Sequence, residues 1–243
     1  MASNRALAAV RILGIFLLLL AGLVSTVAAA DRYDEARRRM VDEQIRKRGI
    51  TDPRVIAALS KVPRHLFVPE PRRPAAYGDT PLPIGHGQTI SQPYIVARMT
   101  ELLELTAASR VLEIGAGSGY QTVILACLAR NVYAIERVPQ LTSEAQARLQ
   151  QLKIHNVSLR CSDGTLGWDV YAPFDAILVA AGSPEIPAPL LQQLKIGGRL
   201  VLPVGQDQQT QRLVRVTRAE TNFQTEDFGA CAFVPLIGEH GWK

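Results

Sequence analysis

A glycine-rich segment between two apolar runs constrains the fold of this chain more than any other feature. Gly115, Gly117 and Gly119 alternate with small residues, directly after the apolar run 110–114 and directly before a helical pattern that begins at Tyr120. Glycines at such a strand-to-helix turn let the backbone bend tightly and let a ligand approach the main chain. The segment therefore predicts a ligand site at the carboxyl end of a strand in an α/β fold.

Apolar runs and amphipathic helices alternate after residue 109, and this alternation predicts a mostly parallel, doubly wound sheet. The expected strands cover 110–114, 131–136, 157–161, 175–180 and 199–203, and the expected helices cover 120–128, 139–152 and 187–194. Two closing strands are expected at 213–217 and 228–234, joined by a polar turn. Antiparallel pairing is the arrangement proposed for them.

The region before the sheet predicts two helices and a long loop. A charged helical pattern covers residues 36–48 and ends at Gly49. Capping residues and a proline at 51–53 predict a second helix over 55–61. The many prolines and glycines of 63–93 predict a loop without regular elements, and loops of that length are usually functional.

Residues 31–243 are expected to form a single domain. Its first part, 31–109, is expected to provide the substrate side, and 110–243 the ligand-binding core. The formal net charge is +5, and it falls to +3 when the first thirty residues, with Arg5 and Arg11, are removed. So weak a positive charge over a whole domain does not favour nucleic acid as a partner.

The first thirty residues have the form of a secretory signal cleaved after Ala30. Arg5 and Arg11 are their only charged side chains, and an apolar run covers 12–24. An uncut membrane anchor is a second interpretation, because residues 12–30 are just long enough to span a bilayer. A misassigned start codon is a third. The basic residues that follow the segment would keep an anchored domain in the cytoplasm under the positive-inside rule.

The cysteines and histidines predict neither a disulfide framework nor a metal site. Cys127, Cys161 and Cys231 are odd in number, far apart and without a C-x-x-C pair. The four histidines show no metal-ligand spacing. No metal is therefore expected.

Acidic residues stand at three strand ends of the predicted core. Glu113 lies just before the glycines, and Glu136 ends the next strand, about twenty residues later, where a carboxylate can accept hydrogen bonds from both hydroxyls of a ribose. Asp163 and Gly164 follow the third strand. Alone, a strand-end carboxylate is usually solvated and an Asp-Gly pair is usually a turn. Together and in order, these residues favour a nucleotide-like ligand.

The loop has G-x-G-x-G spacing, with Tyr120 where the dinucleotide fingerprint requires glycine. With its leading acid, it resembles motif I of the Rossmann-like, S-adenosylmethionine-dependent methyltransferases. The resemblance implies S-adenosyl-L-methionine as cofactor and S-adenosyl-L-homocysteine as product. Methyltransferases often use an acid after the third strand to accept from the adenine amino group. The implied cofactor-binding residues are Glu113, Gly115, Gly117, Gly119, Glu136, Asp163 and Gly164.

Two classes of methyl acceptor are disfavoured. Amino methyltransferases usually carry an Asn/Asp-Pro-Pro-aromatic tetrad after the fourth strand, whereas this chain has Ala-Gly-Ser-Pro at 181–184. Cytosine C5 enzymes need a Pro-Cys nucleophile, and no cysteine here follows a proline.

Residues 81–99 closely resemble the signature of the protein-L-isoaspartate (D-aspartate) O-methyltransferase family. The likeness extends over the chain from about residue 36, through 65–69, 111–122, 184–187, 197–205 and 233–236. It implies methyl esterification of the free α-carboxylate of L-isoaspartyl and D-aspartyl residues, which initiates repair of damaged proteins. The family commonly has Val-Thr-Ala where this chain has 179–181, with Ala180 in place of threonine, and Gly-Asp-Gly where this chain has Ser162 before Asp163.

By this resemblance, Ser91 matches the active-site serine of the family and orients the substrate carboxylate. Thr89, Ile90 and Gln92 are expected to shape the same wall. On the residues alone, a cap of the helix that follows is the favoured interpretation of Ser91. A carboxylate is already ionised at neutral pH, so the reaction needs no general base and alignment becomes the main task.

A cofactor-binding but catalytically silent interaction module is the alternative function, in which the change at Ala180 disables transfer. An NAD-dependent oxidoreductase is disfavoured by Tyr120. The expected partners are proteins and peptides bearing isoaspartyl residues, with membrane contact through 12–30, and a monomer is expected. A cytoplasmic location is expected because the cofactor is made there, and export to the periplasm is the alternative.

Overall fold

The computed structural model of the chain describes residues 32–243. The interpretations of residues 1–30 as a signal, an anchor or a misassigned start fall outside this range. Within it, every helix falls short of the length and apolar character that crossing a membrane requires.

The N-terminal part is helical, as predicted. Helix α1 covers residues 32–39 and continues through a π-helical turn, Met40–Ile45, and a 3-10 turn, Arg46–Arg48. Gly49 ends this segment with a positive φ of 86°. Helix α2, Pro53–Lys61, begins where the Asp52 side chain accepts a hydrogen bond from the Arg54 amide.

The prediction that 63–93 lacks regular elements is wrong. Two 3-10 helices, Arg64–Phe67 and Glu70–Ala75, are followed by a hairpin of β1, Leu82–Gly85, and β2, Gln88–Ile90. Prolines are tolerated in the first turn of a helix because its amide groups have no partner inside the helix. Glycine supplies the positive φ that a tight turn needs, and Gly85 and Gly87 have φ values of 95° and 70°. The same residues that suggested a loop therefore build short elements.

A seven-stranded sheet follows helix α3, Pro93–Leu102, with the strand order β5-β4-β3-β6-β7-β8-β9. The strands are β3 Arg110–Ile114, β4 Asn131–Glu136, β5 Val157–Cys161, β6 Phe174–Val179, β7 Leu194–Asp207, β8 Thr210–Arg218 and β9 Phe223–Cys231. The helices between them are α4 Tyr120–Ala126, α5 Pro139–Gln151 and α6 Ala188–Gln192.

The predicted α/β fold with a mostly parallel sheet is confirmed. Strands β3 to β7 pair in parallel, and β8 and β9 close the sheet in antiparallel pairs. Strand β7, predicted over 199–203, covers Leu194–Asp207. Strand β9, predicted over 228–234, covers Phe223–Cys231. The first five residues of β9 are all exposed, so no apolar alternation marks them.

Strand β3 lies between β4 and β6, although β4 follows it in the chain and β6 comes after β5. The chain therefore changes direction across the sheet at the carboxyl end of β3, which is where open α/β sheets bind ligands. Two buried apolar clusters cover the two faces of the sheet, one containing Val111 and Ile124 and the other containing Leu112 and Leu190. This packing holds the carboxyl ends of the central strands in fixed positions.

Candidate active site

The glycine segment forms a loop at the carboxyl end of β3. Gly115, Gly117 and Gly119 have φ values of 86°, 53° and 87°, a region that side chains disfavour. The amides of Gly115 and Ala116 both donate to the Ile135 carbonyl, which fixes the loop to the neighbouring strand β4. The loop is therefore held open toward the edge of the sheet.

Three adjoining cavities surround this loop. The loop cavity, about 90 Å³, is lined by the glycine loop, the end of β4 and the C-terminal segment 234–237. The outer cavity, about 330 Å³, is lined by the start of α3 and residues of β9. A junction cavity of about 30 Å³ lies against both the loop and Ser91. Thr89 and Ala180 line all three cavities.

Glu136 lies at the end of β4 with its carboxylate on the loop cavity. One oxygen accepts from the Gly117 amide at 2.8 Å and the other from the Val138 amide at 2.9 Å. A carboxylate has about four lone-pair positions, so each oxygen retains capacity for a further donor. This position suits the predicted role of holding ribose hydroxyls.

Glu113 is fully buried and is not among the residues that line the three cavities. Burial raises the pKa of its carboxyl to about 8; the charge of Glu136 adds to this shift and the nearby Thr122 side chain opposes it. Because its side chain lines none of these cavities, a role for Glu113 in cofactor binding stays a prediction.

Asp163 holds the C-terminal segment against the loop cavity. Its Oδ1 atom accepts from the amide and hydroxyl of Thr165, and its Oδ2 atom accepts from the Glu239 amide at 2.7 Å. Burial by itself raises the pKa of Asp163, but these hydrogen bonds outweigh it and hold that pKa below its ordinary value. Gly164 lines the loop cavity, and a Cβ atom there would lie 2.3 Å from Ile114 Cγ2.

Asp163→Asn is expected to weaken binding of S-adenosyl-L-homocysteine about five- to tenfold. The amide nitrogen of asparagine cannot accept from the Glu239 amide, so the C-terminal segment that lines the loop cavity loses one hydrogen bond, worth about 1 kcal/mol. Calorimetric titration measures this affinity. Because folding lowers the pKa of Asp163, the stabilisation from this carboxylate is present above its ordinary pKa of 3.8 and is lost as the pH falls through the folded pKa. Acid unfolding of the variant should lack this contribution.

Asp175→Asn is the matched control. Asp175 also has a lowered pKa, and its carboxylate accepts from the Arg110 amide and from Lys195, at the amino end of β6 and away from the loop cavity. This variant should lose acid-range stability and keep the affinity for S-adenosyl-L-homocysteine. Equal losses of affinity in both variants would contradict the role given to Asp163.

Ser91 lies between the hairpin and α3 and lines both the outer and the junction cavity. The N-cap of α3 is Gln92, without a side-chain capping bond, so the alternative that Ser91 caps this helix is not what the structure has. The Ser91 carbonyl accepts from the Arg64 guanidinium at 2.7 Å. In the described part of the chain, the Ser91 hydroxyl makes no hydrogen bond, which leaves it available to a ligand.

The other residues predicted for the substrate wall have different environments. Ile90 is buried and lines the junction cavity. Gln92 lines the outer cavity, and its side-chain amide donates to the Asp79 carbonyl at 3.1 Å. Two arginines also line the outer cavity, Arg48 paired with Asp79 and Arg98 paired with Glu101. Carboxylate neighbours thus offset part of the positive charge on this wall.

Comparison with known proteins agrees with this geometry. The family model of protein-L-isoaspartate(D-aspartate) O-methyltransferase matches residues 35–241. A protein-L-isoaspartate O-methyltransferase from Syntrophus aciditrophicus (strain SB) is 56% identical over 216 residues, which cover 88% of this chain and 99% of that protein. This chain belongs to the protein-L-isoaspartate (D-aspartate) O-methyltransferase family. It is therefore a methyltransferase.

Solved structures of the family share the fold. One protein-L-isoaspartate O-methyltransferase superposes with a TM-score of 0.76 at 27% identity, over 84% of this chain and 67% of its own. A Plasmodium falciparum protein described as belonging to this family, in complex with S-adenosyl-L-homocysteine, has a TM-score of 0.70 at 26% identity, over 84% and 98% of the two chains.

The residues around the loop cavity fit the S-adenosylmethionine of this methyltransferase family. A Cβ atom at Gly117 would lie 3.4 Å from Ile84 Cδ1 on a backbone with positive φ, so only glycine leaves this approach open. The Glu136 carboxylate faces the cavity and can accept further donors. Within residues 32–243, no group of three or more histidine, cysteine or acidic residues is placed to hold a metal ion.

Two parts of this methyltransferase site were missed by the sequence reasoning. Residues 234–237 line the loop cavity, and the family-like run 233–236 was noted without a role in the site. Arg64 is fully buried behind Ser91, and only its position inside an apolar run could have suggested this. Ala180, noted as a departure from the family, lies where the three cavities meet.

Proposed function

We propose that this chain transfers a methyl group from S-adenosyl-L-methionine to the free α-carboxylate of L-isoaspartyl and D-aspartyl residues in damaged proteins, as the first step of their repair. The observation that carries the proposal is the junction cavity, where Ser91 meets Gly115 and Gly117. A carboxylate held by Ser91 would lie beside the cofactor loop.

The residues of the chain divide the work between the cavities. The glycine loop, Glu136 and Gly164 would hold the cofactor, which supplies an electrophilic methyl group on a positively charged sulfur. Ser91 offers an unpaired hydroxyl as donor to the incoming carboxylate, and Thr89 and Ile90 shape the wall beside it. Hydrogen bonds to a charged acceptor are stronger than neutral ones, which favours the ionised carboxylate.

The carboxylate is the nucleophile and is ionised at neutral pH, so no side chain has to remove a proton. The task left to the protein is orientation, which can lower a barrier by several kcal/mol. Water has reduced access to the reacting groups, because Ser91 is half-buried and apolar residues such as Ile95 and Phe233 line the outer cavity. Reduced solvation strengthens the attraction between opposite charges.

A pair of peptides tests the proposal. One peptide carries an L-isoaspartyl residue, and the other has the same sequence with normal aspartate. We expect radiolabelled methyl transfer from the cofactor to the first peptide and none to the second. A chain that binds S-adenosyl-L-homocysteine but labels neither peptide would be the catalytically silent module, and equal labelling of both would contradict isoaspartyl specificity.

Cytoplasmic location is part of the proposal, because the methyl donor is made in the cytoplasm. We propose that residues 12–30 bring the domain to the inner face of a membrane and that the domain acts as a monomer without nucleic acid. Cell fractionation with N-terminal sequencing tests the location, and a periplasmic protein that begins at Asp31 would contradict it.

A further inference from the structure

Arg64 is a fully buried cation that takes part in no ion pair of the part of the chain that the structure describes. Its side chain is 0% exposed, and no ion pair within residues 32–243 includes it. Its Nη1 atom has no hydrogen-bond partner in that range. An unpaired buried charge opposes folding unless other contacts compensate for it, so Arg64 requires an explanation beyond core packing.

The guanidinium of Arg64 joins separate segments around the candidate serine. Its Nε atom donates to the Ala76 carbonyl at 2.7 Å, and its Nη2 atom donates to the Ser91 carbonyl at 2.7 Å. Its Cζ atom lies 4.9 Å from the centre of the Tyr120 ring, which is within the range of a cation–π contact. Tyr120 follows directly after the last glycine of the cofactor loop.

These contacts place Arg64 behind the junction cavity, which both Ser91 and Tyr120 line. Arg64 itself is not among the residues that line the three cavities, so it does not reach the ligands. The planar guanidinium presents several donors in a fixed arrangement, whereas a lysine ammonium in the same place is a point charge. The hydrogen bond to the Ser91 carbonyl and the contact with the Tyr120 ring therefore hold the Ser91 backbone at a set position relative to the start of α4.

We propose that Arg64 is a positioning residue that fixes Ser91 against the cofactor loop and thereby orients its hydroxyl toward the substrate carboxylate. This proposal rests on the proposed function of the site. It assigns Arg64 to the alignment of substrate and not to the binding of the cofactor.

Arg64→Met tests the proposal, because methionine keeps much of the apolar contact and removes both hydrogen bonds. We expect kcat on the isoaspartyl peptide to fall about 10- to 100-fold and no further than in Ser91→Ala, because misplacing the Ser91 hydroxyl can cost no more than removing it. The affinity for S-adenosyl-L-homocysteine should stay within about threefold, since Arg64 contacts no lining of the loop cavity. Arg64→Lys should have a kcat between those of the wild-type chain and Arg64→Met, because the lysine ammonium can replace one of the two hydrogen bonds to the Ala76 and Ser91 carbonyls.

A double-mutant cycle separates positioning from general destabilisation. If Arg64 acts through the Ser91 hydroxyl, Arg64→Met in a Ser91→Ala background should lower kcat no more than about threefold further. Losses that multiply would overturn the proposal. Arg160→Met is the matched control, because Arg160 also donates to a carbonyl, that of Gly167 at 2.7 Å, and lies 4.2 Å from the Trp168 ring, outside the three cavities.

Hydrogen exchange provides a readout that does not depend on activity. In Arg64→Met, amides of residues 88–92 should exchange at least about tenfold faster than in the wild-type chain, and in Arg160→Met they should not. If the wild-type chain methylates no isoaspartyl peptide, the proposed function fails, while exchange at 88–92 still decides the role of Arg64. Unchanged exchange, or a failure of both Arg64 variants to bind S-adenosyl-L-homocysteine, would overturn the proposal.

Discussion

Gly117→Val is expected to abolish measurable binding of S-adenosyl-L-homocysteine by the folded protein. Gly117 has a φ of 53°, which valine adopts only with strain, and its added Cβ would lie 3.4 Å from Ile84 Cδ1. The branched carbons of valine would enter the space where the loop and junction cavities meet. Overpacking of this kind costs up to about 3 kcal/mol, or about 100-fold in affinity, before the strain of the backbone is added.

Gly197→Val is the control for the backbone effect. Gly197 also has a positive φ, 77°, but a Cβ atom there meets nothing within 4 Å, and the residue lies near the start of β7. Both variants should lose some stability, and only Gly117→Val should lose the ligand. Titration calorimetry on protein shown to be folded by circular dichroism measures the difference. Normal affinity in folded Gly117→Val would refute the assignment of the glycine loop.

Ser91→Ala is expected to lower kcat on the isoaspartyl peptide by about 10- to 100-fold, because a hydrogen bond to a charged group is worth about 1.5–3 kcal/mol. Affinity for S-adenosyl-L-homocysteine should change little, because Ser91 is not among the residues that line the loop cavity. Steady-state kinetics with the peptide and calorimetry with the product nucleoside separate the two effects.

Ser143→Ala serves as the matched control for Ser91→Ala. The Ser143 hydroxyl donates to the Pro139 carbonyl within α5 and is exposed, so its loss should leave turnover unchanged. Wild-type turnover in Ser91→Ala would show that the Ser91 hydroxyl takes no part in orienting the substrate.

The sequence predicts the sheet core well because its strands carry local information. Strands such as 110–114 are short apolar runs bounded by turns, and the glycine loop occupies the one position where a βα unit needs it. Glu136 lines the loop cavity because the carboxyl ends of parallel strands share one edge of the sheet. The spacing of apolar residues and the order of strands and helices along the chain are enough for these assignments.

Contacts between distant parts of the chain are not available to such reasoning. Asp163 accepts from Glu239, which lies 76 residues later, and no local pattern indicates that pairing. The burial of Arg64 depends on carbonyl groups 12 and 27 residues away in a proline-rich region that sequence reasoning assigns to a loop. Short 3-10 turns and a hairpin held by glycines with positive φ carry little periodicity, so composition alone misassigns them.

A crystal structure of the chain with S-adenosyl-L-homocysteine and an L-isoaspartyl peptide tests the central claim most directly. We expect the nucleoside in the loop cavity, with its ribose hydroxyls on Glu136, and the peptide α-carboxylate within about 3.2 Å of the Ser91 hydroxyl oxygen. A nucleoside bound away from the glycine loop, or a carboxylate that does not contact Ser91, would contradict this account.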